Sequence, residues 1–238
     1  MRTTSRRTLL AGFAALPLLP RRLRAESLQP VVVELFTSQG CSSCPPADAL
    51  LGELALREDV IALAYHVDYW DYIGWRDRFG DPANTERQRS YAAWMGSHMV
   101  YTPQMVIAGR YDVVGSRRDR VEETLERARG EPLPLSVTLT RYDSVIIEGP
   151  ADAGPATVLA VVFQAAADTP VAKGENAGRT LTEYNIVRAM IPVGRYQGGR
   201  QELPVDPAWL AEAGFDGCAI LVQDEATGRI LGAARMLG

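Results

Sequence analysis

Cys41 and Cys44 have the widest chemical reach in this 238-residue chain. Two residues separate them, so both sulfurs fall within one helical turn and can bond to each other. They lie in Phe36-Thr37-Ser38-Gln39-Gly40-Cys41-Ser42-Ser43-Cys44-Pro45, between an apolar β-branched run and a helix start. The first turn of a helix offers free N–H groups and the positive end of aligned peptide dipoles. A thiolate at Cys41 is therefore expected to be favoured and to act as the attacking sulfur. Cys44, deeper along the helix, would close the ring by attacking a mixed disulfide. The plainer alternative for the same pair is an inert crosslink.

A second feature is Tyr101-Thr102-Pro103-Gln104. A Thr-Pro step just ahead of a buried strand can hold a cis peptide bond. The backbone of Thr102 would then face outward, and its N–H and C=O could pair with an extended chain beside the cysteines. A third is the stretch from Tyr65 to Gly80, which packs Tyr65, Tyr69, Trp70, Tyr72 and Trp75 into eleven residues, interleaved with His66, Asp68, Asp71, Arg76 and Asp77. It should emerge where α/β proteins place ligands, at the carboxyl end of a strand. Trp70 and Tyr69 then either line a groove for a peptide or bury the insertion's own core.

These residues need elements to hold them. Pro30 to Phe36 and Val60 to Val67 read as buried strands. Pro45 and Pro46 suit a helix first turn, and Ala47, Leu50, Leu51 and Leu54 repeat at helical spacing. Asn84 to Met95 reads as a helix with Thr85 and Gln88 at capping-box spacing. Met105 to Ala108 and Tyr111 to Val114 flank Gly109-Arg110 as a hairpin. A helix follows, capped by Ser116 and Asp119, with Val121, Leu125 and Ala128 inward and Gly130 at its end. Glu131-Pro132-Leu133-Pro134 is the expected boundary. Beyond it the period changes to two: Val137 and Leu139, Val145 and Ile147, then Thr157 to Phe163, Cys218 to Val222 and Ile230 to Ala234. That pattern predicts a small β-sandwich or barrel. Glu175 to Glu183 reads as an exposed polar loop that covers the redox face or binds a partner.

Strand, Cys-x-x-Cys at a helix start, Thr102-Pro103, hairpin and final helix together resemble the thioredoxin fold over roughly residues 30–130. More narrowly, Glu34 through Asp48, His66-Val67-Asp68-Tyr69-Trp70-Asp71 and Glu175-Asn176-Ala177-Gly178-Arg179-Thr180-Leu181 resemble the exported thioredoxin-like family called domain of unknown function 1223. The resemblance implies an α/β thioredoxin-like domain over 30–131, with an aromatic-rich insertion at about 68–98, followed by a small all-β, sandwich-like domain over 135–238. It implies thiol–disulfide exchange by Cys41 and Cys44, and the residues expected to meet the substrate are Thr102 and Pro103, with Trp70 and Tyr69 if the aromatic insertion lines a groove. The partner would be an exported protein with reactive thiols or a disulfide. No cofactor is expected, because the disulfide itself carries the two electrons. The chain departs from thioredoxin proper in having Ser42-Ser43 between the cysteines and Gly40 before them. The rival reading is a copper or zinc carrier, or a redox-inert adaptor, on the same fold. Soft thiolates with His66 or His98 would suit such metals. Copper-delivering relatives of the fold usually space their cysteines by three residues, however, and a packed or hydrogen-bonded histidine is the plainer role. Asp68 either assists proton transfer or sits on a surface turn. Cys218 reads as a buried small hydrophobe, with a resolving role open because the cysteine count is odd.

Composition narrows the field. Hydrophobic residues make up 47% and charged residues 23%, so the chain can build a sizeable core. Arg2, Arg6, Arg7, Arg21, Arg22 and Arg24 crowd a front end without an acid. An apolar segment from Leu9 to Leu19 lies between them, and Ala25 offers a cleavage point. This resembles a signal peptide over 1–25, of twin-arginine type, and predicts a periplasmic or secreted protein. The remaining chain is acidic, which argues against nucleic-acid partners. No apolar run reaches the roughly 18 residues of a membrane span.

Overall fold

The computed structural model describes residues 29–140, 144–205 and 216–237. The expected signal segment and its cleavage point lie outside them. The chain runs β1 (Val31–Thr37), α1 (Pro45–Ala55), β2 (Val60–His66), a short 3-10 turn (Asp71–Ile73), α2 (Pro82–Trp94), β3 (Gln104–Ile107), β4 (Tyr111–Val114) and α3 (Arg118–Arg129). Seven strands follow: β5 (Ser136–Leu139), β6 (Ser144–Glu148), β7 (Ala156–Pro170), β8 (Thr180–Tyr196), β9 (Arg200–Pro204), β10 (Gly217–Asp224) and β11 (Ile230–Leu237). The result is a mixed α/β fold with one large mixed sheet and one small antiparallel sheet.

The large sheet has eight strands in the order β11-β10-β7-β8-β2-β1-β3-β4. β1 and β2 run parallel in register from Val31 opposite Val60 to Thr37 opposite His66. Both strands are buried on both faces, which explains their unbroken apolar runs. Alternation divides the burial. Val31, Val33 and Leu35 face α1 and α3, meeting Leu50, Leu51, Leu54, Val121 and Leu125. Val32 and Phe36 face the other way, with Tyr65, Tyr91 of α2, and Val161 and Leu221 from the C-terminal half.

The expectation of a separate β domain beyond Pro134 is corrected here. Two layers do form: β5-β6-β9 packs over β7 and β10 around Val145, Ile147, Val158, Ala160, Ile220 and Val222. One of those layers, however, is the far half of the large sheet. β8 lies parallel to β2 at Ala64 and Ile186, and Asn185 Nδ2 donates to Ala62 O at 2.8 Å. The physical reason is the free edge of β2, whose backbone groups need partners once both faces are covered. The 17-residue β8 and the five-residue β9 were not foreseen, because polar residues interrupt their alternation. The α2 cap also differs from expectation. Asp81 is the N-cap, accepting from Ala83 N–H at 2.8 Å, while Gln88 is buried and bonds Tyr101 O and Gln104 Oε1.

On the α2 face a buried ion pair crosses the sheet. Arg87 Nε donates to Glu34 Oε1 at 2.6 Å, Nη1 to Gln223 Oε1 at 3.2 Å and Nη2 to Tyr91 OH at 3.1 Å. Tyr91 OH donates in turn to Glu34. The cluster ties α2 to the middle of β1 and to β10. Arg87→Met leaves the Glu34 carboxylate uncompensated inside the protein, and urea denaturation should register a loss of about 3–5 kcal/mol. A loss within the range of a surface pair, about 1 kcal/mol or less, would contradict this role.

Candidate functional site

Cys41 and Cys44 form a disulfide. It sits where β1 turns into α1, held by hydrogen bonds from Cys41 N–H to Ser38 O at 3.1 Å and Cys44 N–H to Cys41 O at 3.2 Å. Cys44 is the N-cap of α1, and Pro45 and Pro46 fill the first two helical positions. Those prolines remove the amides on which the expected thiolate stabilisation relied, and Ala47 N–H, the next along, donates to Cys44 O at 2.8 Å. The Ser42 amide is turned to Glu175 Oε2 at 3.3 Å. Ser43 Oγ, 3.4 Å from Cys41 Sγ, is the hydrogen-bonding group that meets the sulfur itself. Cys41 is 1% exposed and Cys44 0%.

The Thr102–Pro103 bond is cis. Neither backbone group of Thr102 takes a hydrogen bond within the described residues. Trp70 Nε1 donates to Thr102 Oγ1 at 2.8 Å, and the Trp70 backbone and Cβ pass so close to Gly40 that an added Cβ there would lie 3.1 Å from Trp70 Cβ. Trp70 thus joins the turn before Cys41 to the Thr102-Pro103 step. Tyr69 is tied inward, its OH donating to Gln88 Oε1 at 3.1 Å. Tyr72 is 82% exposed. The aromatic insertion therefore splits: Tyr65 is core, Trp70 and Tyr69 form a half-buried wall, and Tyr72 faces solvent.

Behind the disulfide lies a polar cluster that sequence reasoning missed. Gln39 is buried with every polar atom engaged. Its N–H donates to Asp77 Oδ2 at 2.8 Å, its Nε2 to Thr169 Oγ1 and Glu183 Oε1, both at 3.0 Å, and its Oε1 accepts from Trp75 Nε1 at 3.0 Å. Asn176 Nδ2 donates to Gln39 O and to Cys41 O, both at 3.0 Å. His66 Nδ1 lies 2.7 Å from the same Asp77 oxygen. Burial alone would disfavour a charged His66, but Asp77 outweighs it and moves the imidazole upward from its ordinary value. The Asp77 carboxyl is held low: burial works against its charge, and His66 with two backbone amides overcomes that. Burial pushes Glu183 up to about 7 and Asp48 up to about 6. Asp48 lies one helical turn beyond Cys44 and accepts from Thr37 Oγ1 at 2.7 Å. His66 Nε2 and Glu183 Oε2 are buried without a hydrogen-bond partner. Asp48 did leave a trace in the sequence, as one acid among the apolar residues of α1. Gln39 and Asn176 fall in the runs that carry the family resemblance and Glu183 closes the polar loop read as covering the cysteines, but their mutual bonding left no mark, since the partners are distant in the chain.

The remaining candidates lie elsewhere. Asp68 accepts from Thr85 Oγ1 at 2.5 Å on the α2 side. His98 is exposed, and Cys218 is buried in β10 with its thiol pushed up to about 11 by burial. Among the described residues no group of three or more His, Cys, Asp or Glu is arranged to hold a metal ion. No helix there is long and apolar enough to cross a membrane.

The family model described as protein of unknown function (DUF1223) matches residues 32–223. The chain belongs to that family. The DUF1223 region thus takes in the small sheet, the large sheet except β11, and the whole cluster around Gln39. A solved X-ray structure of a protein from Agrobacterium tumefaciens, a structural-genomics target, is similar at 34% identity with a TM-score of 0.78, covering 90% of this chain and 96% of that one. HBP35 of Porphyromonas gingivalis shares the fold at 14% identity and a TM-score of 0.53, over 88% of this chain and 75% of its own. No curated protein matches.

The raised Asp48 has a thermodynamic consequence. A carboxyl that binds its proton more tightly folded than unfolded stabilises the fold least when ionised, so this contribution is lost as pH rises from about 4 through about 6. Asp48→Asn removes that loss. Its stability relative to the parent protein should improve between pH 4 and pH 8 by on the order of 2–3 kcal/mol. Denaturation curves at both pH values test this, and an unchanged difference would mean that Asp48 is not the group titrating.

Proposed function

We propose that this DUF1223 protein is an exported thiol–disulfide oxidoreductase of thioredoxin-like type, acting on protein thiols or disulfides. The observation that carries the reading is the Cys41–Cys44 disulfide at the strand-to-helix junction of β1 and α1. The surrounding arrangement supports it. Strands β2-β1-β3-β4, with β3 antiparallel to β1, carry α1 and α3 on one face and α2 on the other. That resembles the thioredoxin core. Thr102, linked through Trp70 to the turn before Cys41, leaves an N–H and a C=O free within the described residues for an extended substrate chain.

In the reducing direction the Cys41 thiolate attacks one sulfur of a substrate disulfide, forming a mixed disulfide and releasing the first substrate thiolate. Cys44 then loses its proton and attacks Cys41 Sγ, releasing the second. Two electrons pass from the protein to the substrate. The oxidising direction reverses each step, and the reduction potential of the pair sets which runs. Asp48 and Glu183 give the site two carboxyls that titrate near neutrality, suited to exchanging protons with it. The arginine-paired front end supports export, where such a disulfide persists.

Burial of both sulfurs favours one second reading, an inert crosslink in a binding scaffold. Trapping separates the two. Cys44→Ser should accumulate mixed disulfides between Cys41 and exported partners, visible as reducible bands that vanish in Cys41→Ser/Cys44→Ser. A pair with a reduction potential below about −300 mV and no trapped partner is a structural crosslink and overturns the exchange reading.

A further inference from the structure

The turn between β7 and β8 reaches across to the disulfide. It leaves the sheet at Pro170 and returns at Thr180. Its own bonds make it a compact loop: Val171 N–H to Arg179 O at 2.9 Å, Gly178 N–H to Val171 O at 2.8 Å and Ala177 N–H to Gly174 O at 3.2 Å. Gly174 and Gly178 supply left-handed turns at φ +80° and +81°. From 172 to 180 every residue is exposed except Asn176, which is 1% exposed.

Asn176 is buried because it lies on the cysteine loop. Its Nδ2 spans Gln39 O and Cys41 O, and its Oδ1 accepts from Arg179 Nη1 at 3.2 Å. One residue earlier, Glu175 takes the Ser42 amide. The Cys41 C=O and the Ser42 N–H are the two polar ends of one peptide group, and both are taken by this turn. Val171 at its root is the one buried apolar side chain of this loop and Asn176 its one buried polar anchor, so little apolar contact holds it and it opens more readily than the sheet. Opening leaves Gln39 O without a donor and Cys41 O with the Cys44 N–H alone, and the stranded Gln39 acceptor is the cost that keeps the loop closed.

We propose that this turn is a latch over Cys41 with Asn176 as its catch, and that the partner which opens it is an extended polypeptide offering its own backbone N–H groups to Gln39 O and Cys41 O. A small thiol cannot replace those bonds and reacts only when the latch opens unaided. The proposal rests on the exchange reading for its partner, but the latch itself is tested without one.

The experiment follows reduction of the Cys41–Cys44 disulfide by dithiothreitol, in which the dithiol closes to its cyclic disulfide and delivers two electrons and two protons to the cysteines. Asn176→Ala should react about 10- to 30-fold faster than the parent protein, the factor expected for losing two neutral hydrogen bonds. Equal rates in a variant of unchanged circular dichroism overturn the latch. Asn176→Asp, which keeps the size but loses the donor, serves if the alanine variant does not fold. Hydrogen exchange in the oxidised parent protein adds a readout that needs no variant. The Gly178 and Val171 amides should exchange through local opening, far faster than the β1 amides, and protection equal to that of β1 overturns the latch. Faster reduction in Asn176→Ala with no partner trapped by Cys44→Ser keeps the latch and removes the exchange function. Trapped partners with unchanged reduction rates do the reverse.

Discussion

Gln39 is the constraint on which the site depends. A buried glutamine with its backbone must satisfy two N–H donors and an oxygen on the side chain, plus an amide and a carbonyl on the main chain. In this protein no single element supplies those partners. Asp77 and Trp75 come from the insertion after β2, Thr169 and Glu183 from β7 and β8, and Asn176 from the turn between them. Each lost bond would leave a polar atom stranded away from water. The loop carrying Cys41 and Cys44 is thereby held from three sides, and the two halves of the chain converge on one residue.

That convergence requires the continuous sheet. β8 joins β2 at Ala64 and Ile186, and the end of β7 and the first residues of β8 reach the loop after β1, where Thr169 and Glu183 bond Gln39. A freely tethered C-terminal domain could not put Thr169, Asn176 and Glu183 within hydrogen-bonding reach of one side chain. The sheet edge that β8 covers is also the edge that β2 would otherwise expose. Sheet completion and site assembly are therefore one event.

The electrostatics follow from the same enclosure. Asp48, Glu183, His66 and Asp77 sit within a region from which water is largely excluded, so their protonation is set by one another more than by solvent. The His66–Asp77 pair keeps its charges by proximity. Asp48 and Glu183, with weaker compensation, hold protons closer to neutrality. Two buried carboxyls with raised proton affinity thus lie behind the disulfide, in an environment that strongly perturbs titration.

Much was legible in the residues alone. The apolar runs at Val31 and Val60, the paired prolines after Cys44, the Thr102-Pro103 step and the inward stripe of α3 are local signals, because neighbours in the chain or one helical turn determine them. The boundaries of α2 and the strand nature of β8 and β9 were not legible. Asp81 competed successfully with Thr85 as a cap, and β8 owes its shape to partners on either side of it rather than to its own period. The site divides the same way. Spacing identified the cysteine pair and the aromatic insertion, since both are short-range patterns. Burial of the sulfurs, the turning of the Ser42 amide to Glu175, and the gathering of Gln39, Glu183 and Asn176 were decided only by tertiary structure. Contacts between residues more than a hundred positions apart leave no periodic mark in a single chain, and burial of a polar group becomes visible only when its partners are in place.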